Sequence, residues 1–138
     1  MDPVSGYNGE ELKVIDETRN ILDAGALPIG ITCIRVPVLR AHGLAITVEF
    51  DEAVDPDAAR DILAGAEGIR VVDDRTGNHF PMPSEASGQF DVLVGRLRRD
   101  LGDPQGKSLA LFVVGNQLLK GAALNAVQIA ERLCIARA

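Results

Sequence analysis

The chain has 138 residues, of which 46% are hydrophobic and 25% charged, and its formal net charge at pH 7 is −6. This composition predicts a single domain over residues 1–138 with a core of its own, and it argues against disorder. The acidic charge argues against nucleic acid as a partner, because phosphate binding requires a basic surface. There is no apolar run of about 20 residues and no basic, apolar leader, so we expect a cytoplasmic chain that does not bind a membrane.

The first 50 residues are predicted to contain one helix and two strands. Asn8 and Glu11 form a capping-box pattern, which predicts a helix at residues 9–23. Residues 29–36 and 44–50 are rich in β-branched side chains, and the second of these segments alternates apolar with polar residues. Both segments are therefore predicted strands.

The rest of the chain is predicted to alternate short elements with turns. Asp55 and Pro56 indicate a helix start, because aspartate caps a helix and proline fits its first turn. The predicted elements are a helix at residues 58–64, a strand at 69–72, a long loop at 73–89, strands at 92–97 and 109–114, and a helix from about 118 or 121 to 137. This order predicts an α+β fold, in which helices pack on one face of a mostly antiparallel sheet. No GxGxxG motif follows a predicted strand, so a dinucleotide cofactor must be held mainly elsewhere.

A guanidinium and an imidazole lie seven residues apart in this chain, at Arg35 and His42. Arginine can bind a carboxylate through two parallel hydrogen bonds, and an imidazole can transfer a proton near neutral pH. The alternatives are an arginine that reaches solvent or pairs with an acid, and a turn histidine held by backbone bonds. Residues seven apart on a regular strand point to opposite faces. A shared site therefore requires a break at Pro37 or a turn near Ala41.

Two other pairs of polar residues are candidates for ligand binding. Glu10 and Lys13 are three residues apart on the predicted first helix, which places both on one face; the alternative is a solvated surface pair. Asn116 and Gln117 follow a predicted strand, where their amides could bind a carboxamide; the alternative is ordinary helix capping.

The two cysteines predict neither a disulfide nor a metal site. Cys33 and Cys134 lie in apolar surroundings and show no CxxC spacing. Both are therefore expected to be buried thiols, and no metal is expected.

Four segments together resemble a known family: GYNGEELKVIDETRNIL, TCIRVPVLRAHG, VLVGRLRRDLGDP and GNQLLKGAALNAVQIAE. In this order they are similar to the C-terminal half of aspartate-semialdehyde dehydrogenase, and the resemblance extends from Gly6 to about Leu133. That family reduces 4-aspartyl phosphate with NADPH to L-aspartate 4-semialdehyde and releases phosphate, in lysine, threonine and methionine biosynthesis. In the reverse direction the reaction runs through a cysteine acyl-enzyme.

The resemblance implies one role for each candidate residue. Arg35 matches the arginine that binds the substrate carboxylate, and His42 matches the general acid/base. Glu10 matches the acid that meets the substrate amino group, and Lys13 matches the lysine at the phosphate position. Gln117 matches the amide beside the nicotinamide of NADP.

The resemblance also implies what this chain does not supply. The family's catalytic cysteine and its NADP-binding loop belong to an N-terminal domain that nothing here matches, so the chain alone is not expected to be active. The expected partners are the substrate, that N-terminal half, and a second copy of the chain paired through the sheet. The family commonly reads Arg-Gly-His-Ser where this chain has Arg40-Ala41-His42-Gly43.

Two alternatives to an enzyme part of this kind are open. One is a non-catalytic dimerisation or interaction module derived from the same domain. The other is the related dehydrogenase branch that acts on N-acetylglutamyl phosphate, whose histidine segment differs from RVPVLRAH. The presence of Glu10, Lys13, Arg35 and His42 favours the enzyme part, because a pairing surface alone would not require all four.

Overall fold

The computed structural model describes residues 5–136 of the chain. Its elements are helix α1 (Gly9–Ile21), strand β1 (His42–Glu49), helix α2 (Pro56–Ala64), strand β2 (Ile69–Val71), helix α3 (Pro83–Ala86), strand β3 (Val92–Arg99), strand β4 (Ser108–Gly115), a π-helix (Leu119–Ala123) and helix α4 (Leu124–Ile135). The chain divides into two compact units, residues 1–37 and residues 38–138. They are called the N-terminal unit and the sheet unit below.

Helix α1 begins with the predicted capping box. The Asn8 side chain accepts a hydrogen bond from the N–H of Glu11 at 3.0 Å, and the Glu11 carboxylate accepts one from the N–H of Asn8 at 2.8 Å. These two bonds satisfy N–H groups that the first turn of a helix cannot pair internally. The helix ends at Ile21, and Asp23, which the sequence predicted as helical, has a left-handed φ of 50°.

The predicted strand at residues 29–36 is wrong. In the described part of the N-terminal unit this segment forms no strand pairing. The N–H of Cys33 instead donates to the Glu11 carboxylate at 2.9 Å. β-branched composition favours extended backbone, but a strand also requires a neighbouring strand with free N–H and C=O groups.

The sheet unit contains a four-stranded sheet with the strand order β1-β4-β3-β2. Strand β4 pairs antiparallel with both β1 and β3, whereas the short β2 pairs parallel with β3. The α+β class and the mostly antiparallel sheet are therefore confirmed. Strand β1 begins at His42, two residues earlier than predicted, because its ladder with β4 starts at the pairing of His42 with Gly115.

Two clusters of buried side chains lie on opposite faces of this sheet. Neighbouring residues of a strand point to opposite faces, so Leu93 and Val94 of β3 enter different clusters. Val94 belongs to the cluster against which Ala59 and Leu63 of α2 pack, and Leu93 belongs to the cluster that contains Ala86 of α3. Helix α2 therefore packs on one face of the sheet, as predicted. The short α3, which lies inside the predicted long loop, packs on the other face.

A buried ion pair holds an irregular part of β3. The pairing of β3 with β4 shifts after Gly95, and Arg96 has a left-handed φ of 58°. The Asp73 side chain, which is 1% exposed, accepts hydrogen bonds from the N–H groups of Arg96 at 3.0 Å and Leu97 at 3.3 Å. Its carboxylate also lies 2.6 Å from the Arg60 guanidinium of α2. This one carboxylate therefore links α2, the end of β2 and the bulge of β3.

The C-terminal helix starts with a wider turn than the sequence predicted. Asn116 is buried, and its side chain accepts a hydrogen bond from the N–H of Leu118 at 3.0 Å. The π-helix follows and continues directly into α4, so helical structure covers most of the predicted segment. The predicted end at residue 137 lies outside the described residues. Within residues 5–136, no helix is both long enough and apolar enough to cross a bilayer.

Candidate active site

Glu10 and Lys13 lie on α1 as the spacing predicted, on one face and close together. The Lys13 ammonium is 3.8 Å from the Glu10 carboxylate, and both side chains are more than half exposed. An exposed pair at this distance contributes little to stability. Both groups are therefore accessible to a ligand at low cost, since neither is tied into the core.

Arg35 lies in the same unit and is exposed. Among residues 5–136 it makes no ion pair or hydrogen bond. The predicted alternative of pairing with an acid is therefore not what this part of the chain shows. None of the five N–H donors of the guanidinium has a partner within the described residues, so they can bind a planar anion such as a carboxylate.

Glu11 is a supporting residue of the N-terminal unit that the sequence revealed only in part. The capping box predicted its bond to Asn8, but the same carboxylate also accepts the N–H of Cys33. Glu11 is next to Glu10, and Cys33 is two residues before Arg35. The carboxylate therefore fixes the helix start that carries Glu10 relative to the backbone that carries Arg35.

The two hydrogen bonds that the Glu11 carboxylate accepts also change its pKa. The N–H groups of Asn8 and then Cys33 hold the pKa of Glu11 below its ordinary value of 4.5. Hydrogen bonds that stabilise a carboxylate make it harder to protonate in the folded state. Glu11 is only 8% exposed, so its contacts within the fold determine where its side chain lies.

His42 is the first residue of β1 in the sheet unit, opposite Gly115 of β4. Its side chain is exposed and has no hydrogen-bond or ionic partner among the described residues. The alternative of a turn histidine held by backbone bonds is therefore not observed there. The other histidine differs, because the Nε2 atom of His79 lies 2.7 Å from the Glu85 carboxylate.

Gln117 contacts the residue immediately before His42. Its Oε1 atom accepts a hydrogen bond from the N–H of Ala41 at 2.9 Å. Ala41 is 4% exposed and has a left-handed φ of 71°, which costs an alanine about 1 kcal/mol or more. A glycine, which the resemblance implies at this position, would adopt this φ without the cost. At this junction the Asn116 side chain accepts the N–H of Leu118, whereas the Gln117 side chain bonds to Ala41.

Gly43 follows His42, at the position where the resemblance implies a serine. A Cβ atom at this position would lie 2.9 Å from the tip of the Phe112 ring of β4. The ring therefore occupies the space of a side chain at position 43. A serine here would require the Phe112 ring to move.

Other polar regions of the described chain are less suited to the predicted chemistry. An open groove of about 500 Å³ lies between the turn before β2 and the C-terminal helices, where Arg132 contacts Glu67 and Lys120 donates to Gln128 at 2.6 Å. Its lining includes neither His42 nor Gln117. The cysteines differ from the prediction of buried thiols, since Cys134 is exposed and Cys33 is partly exposed. Residues 5–136 contain no cluster of three or more potential metal ligands.

Comparison with known proteins gives the family of this chain. Residues 2–120 match the model of the semialdehyde dehydrogenase dimerisation domain. The chain therefore belongs to the semialdehyde dehydrogenase dimerisation domain family, as the resemblance of its motifs predicted.

Two similar curated proteins are both named aspartate-semialdehyde dehydrogenase. The aspartate-semialdehyde dehydrogenase of Prochlorococcus marinus is 50% identical over 129 residues, which are 94% of this chain and 37% of the relative. That of Bacillus subtilis is 40% identical over 130 residues, with 94% and 37% covered. The chain therefore spans little more than a third of the length of these relatives.

Solved structures agree with these relatives. The crystal structure of aspartate semialdehyde dehydrogenase II complexed with ASA from Vibrio cholerae has a TM-score of 0.87 and 38% identity, covering 97% of this chain and 38% of that one. A probable aspartate-semialdehyde dehydrogenase from Pseudomonas aeruginosa has a TM-score of 0.84 and 32% identity, covering 95% and 38%. The described fold is that of this domain.

Proposed function

We propose that this chain supplies the substrate-binding residues, the acid/base histidine and the dimer interface of an NADP-dependent aspartate-semialdehyde dehydrogenase. The reaction proposed is the reduction of 4-aspartyl phosphate to L-aspartate 4-semialdehyde with release of phosphate. The observation that carries this proposal is that Arg35 and His42, both matched by motif, are exposed and unpaired within residues 5–136 of a chain from this family.

Each group of the N-terminal unit suits one charged group of the proposed substrate. The free guanidinium of Arg35 can bind the substrate carboxylate with two parallel hydrogen bonds. Lys13 is a compact cation suited to the phosphate, and Glu10 is an acceptor for the ammonium group. These side chains are exposed and are not held in a tight ion pair within residues 5–136. Binding the substrate therefore does not require a buried ion pair to be broken first.

The residues of the sheet unit suit proton transfer and cofactor contact. The exposed imidazole of His42 is proposed to act as the general acid/base. NADPH, when bound, would supply the hydride for the reduction, and NADP⁺ would accept it in the reverse direction. Gln117 fits a place beside the nicotinamide, because its Oε1 atom is already bonded to Ala41 and its NH₂ group can donate to a carboxamide oxygen.

The rest of the proposed enzyme lies in sequence that this chain does not match. Thioester chemistry requires the catalytic cysteine, and hydride transfer requires the cofactor loop, both of which belong to the family's N-terminal domain. We therefore propose that residues 1–138, as one C-terminal domain, are inactive alone. The proposal includes a homodimer, a cytoplasmic location, and a role in lysine, threonine and methionine biosynthesis.

The dimer interface is proposed on the sheet. Leu44 and Val48 lie on the same face of β1 and are 44% and 37% exposed. Neighbouring apolar side chains on an exposed sheet face favour an interface. The same observation favours the second candidate function, a non-catalytic pairing module, which would need this face but not Arg35 or His42.

One experiment tests the enzyme proposal. This chain is mixed with the part of the Prochlorococcus marinus relative that it does not cover, and NADP reduction is followed with aspartate semialdehyde and phosphate. A covalent chimera, in which this chain replaces the matched segment, covers the case of weak association. Activity is expected in at least one of the two. His42→Ala is expected to lower kcat by about 10²- to 10⁴-fold.

Matched controls come from the chain itself. Arg35→Lys keeps the charge but loses the two-pronged geometry, so it is expected to raise KM for the semialdehyde by about 10-fold or more. Arg40→Lys and His79→Ala change the same residue types outside the proposed site and are expected to keep the activity. A folded chimera without activity would favour the pairing module instead.

A further inference from the structure

The backbone on both sides of Gln117 is fixed by Asn116. The side chain of this buried asparagine accepts a hydrogen bond from the N–H of Leu118. Its backbone carbonyl oxygen accepts the N–H groups of Leu119 at 3.1 Å and Lys120 at 3.0 Å. These bonds occupy the first free N–H groups of the C-terminal helix. Gln117 is therefore not needed as a cap, and its side chain is free for another contact.

That contact is with the backbone of the residue before His42, 76 positions away in sequence. Ala41 is in the left-handed region with φ 71°, and its methyl group packs in the buried cluster with Ala86, Leu93 and Val114. A Cβ atom opposes this backbone conformation. Within residues 5–136, the hydrogen bond from its N–H to Gln117 and the packing of its methyl group hold this backbone in place.

We infer that Gln117 is a positioning residue for His42, because its side-chain oxygen fixes the left-handed turn from which the histidine enters β1. The bond also orients the amide. Its oxygen accepts the N–H of Ala41, which leaves the NH₂ group as a donor, so the ligand group that meets Gln117 is a hydrogen-bond acceptor. This inference rests on the proposed function for the role of His42, but the bond itself can be tested without activity.

The first test measures amide hydrogen exchange at Ala41 in the chain itself. Gln117→Leu removes the acceptor and is expected to speed exchange at Ala41 by about tenfold. Gln117→Glu keeps an acceptor oxygen and is expected to keep the protection. Gln105→Leu, an exposed glutamine in the turn before β4, is the matched control. Equal exchange in all four proteins would overturn the inference, whatever the outcome of the activity assay.

The second test uses the active combination or chimera and separates kcat from KM. Gln117→Leu is expected to lower kcat by about 10- to 100-fold, since a misplaced catalytic group costs this much, and to raise KM for NADP. Gln117→Glu, which lacks the NH₂ donors, is expected to raise KM for NADP with kcat largely kept.

Rescue decides between positioning and a contact with the cofactor alone. Ala41→Gly in the Gln117→Leu background adopts the left-handed turn without the Cβ penalty, so kcat is expected to recover severalfold while KM for NADP stays high. Equal losses of kcat in both Gln117 variants, with no recovery from Ala41→Gly, would overturn the inference. If the unsubstituted chimera is inactive, the proposed function fails and the exchange measurement alone decides.

Discussion

Two regions of this chain use arginine and carboxylate groups in opposite ways. Around the bulge of β3, Asp73 is almost fully buried and bonded to Arg60 and to two backbone N–H groups. Arg35 and His42, in contrast, are exposed and have no partner within residues 5–136. The charges around the bulge of β3 stabilise the fold, whereas the side chains of Arg35 and His42 are accessible. This difference distinguishes charges that stabilise the fold from the charges that we propose to be functional, without reference to a bound ligand.

The distinction matters because the amino-acid types alone do not make it. Arginine and carboxylate side chains occur both at Arg60 and Asp73 and at Arg35 and Glu10. A buried carboxylate with several donors is satisfied and has little capacity for a new ligand. An exposed arginine without a partner keeps all its donors, and a ligand can bind it without breaking other bonds.

The largest effect is expected for Asp73→Ala. It leaves the Arg60 guanidinium and two backbone N–H groups without their partner, and breaking a buried pair in this way costs about 3–5 kcal/mol. Urea unfolding followed by circular dichroism measures the change. Asp57→Ala is the matched control, because Asp57 contacts the same Arg60 at 3.9 Å but its side chain is 81% exposed. Its effect is expected to stay within about 0.5 kcal/mol.

If Asp57→Ala destabilised the chain as much as Asp73→Ala, burial would not be the property that distinguishes the two regions. The ion pairs of Arg60 would then act as one network, and the double variant would show the coupling. A small effect of both variants would mean that the bulge of β3 is held by the ladder with β4 alone.

Local signals in the sequence predicted the starts of two helices well. Asn8 and Glu11 predicted the start of α1, and Asp55 with Pro56 predicted that of α2, where Asp55 accepts the N–H of Asp57. Such caps depend on residues at most three positions apart, so their geometry follows from spacing. The short α3 was missed, because a helix of four residues that begins with a proline shows no helical periodicity.

Long-range contacts could not be predicted from spacing. The bond of Glu11 to Cys33 joins residues 22 positions apart, and that of Gln117 to Ala41 joins residues 76 apart. Residue type and motif were sufficient to find Arg35, His42 and Gln117 as candidates. They were not sufficient to find what holds the backbone beside them, because that depends on which elements the fold brings together.

A smaller effect, limited to acid, is expected for Glu11→Gln. Because the pKa of Glu11 is lowered on folding, the carboxylate stabilises the fold above its ordinary pKa of 4.5, and this contribution is lost as the pH falls through the lowered value. The unsubstituted chain should therefore lose more stability than Glu11→Gln when urea unfolding is compared at pH 7 and at pH 3. Glu17→Gln, an exposed glutamate on the same helix, is the control and should lose as much as the unsubstituted chain.

The Glu11 result would bear on the proposed ligand group Glu10, because Glu11 is a structural carboxylate next to it in the chain. A pH dependence that Glu11→Gln leaves unchanged would mean that its bonds to Asn8 and Cys33 do not hold the folded unit. Position 10 would then have to be placed by the helix alone.

The smallest effect on stability is expected for Arg35→Ala and His42→Ala. Neither side chain has a partner among the described residues, so each substitution should change the free energy of unfolding by no more than about 0.5 kcal/mol. Urea unfolding of the free chain measures this, beside Asp73→Ala. A variant that loses activity in the chimera but keeps its stability removes a functional group and not a structural one. A loss of several kcal/mol for either variant would instead mean that its charge serves the fold, as Asp73 does, and that its effect on activity is indirect.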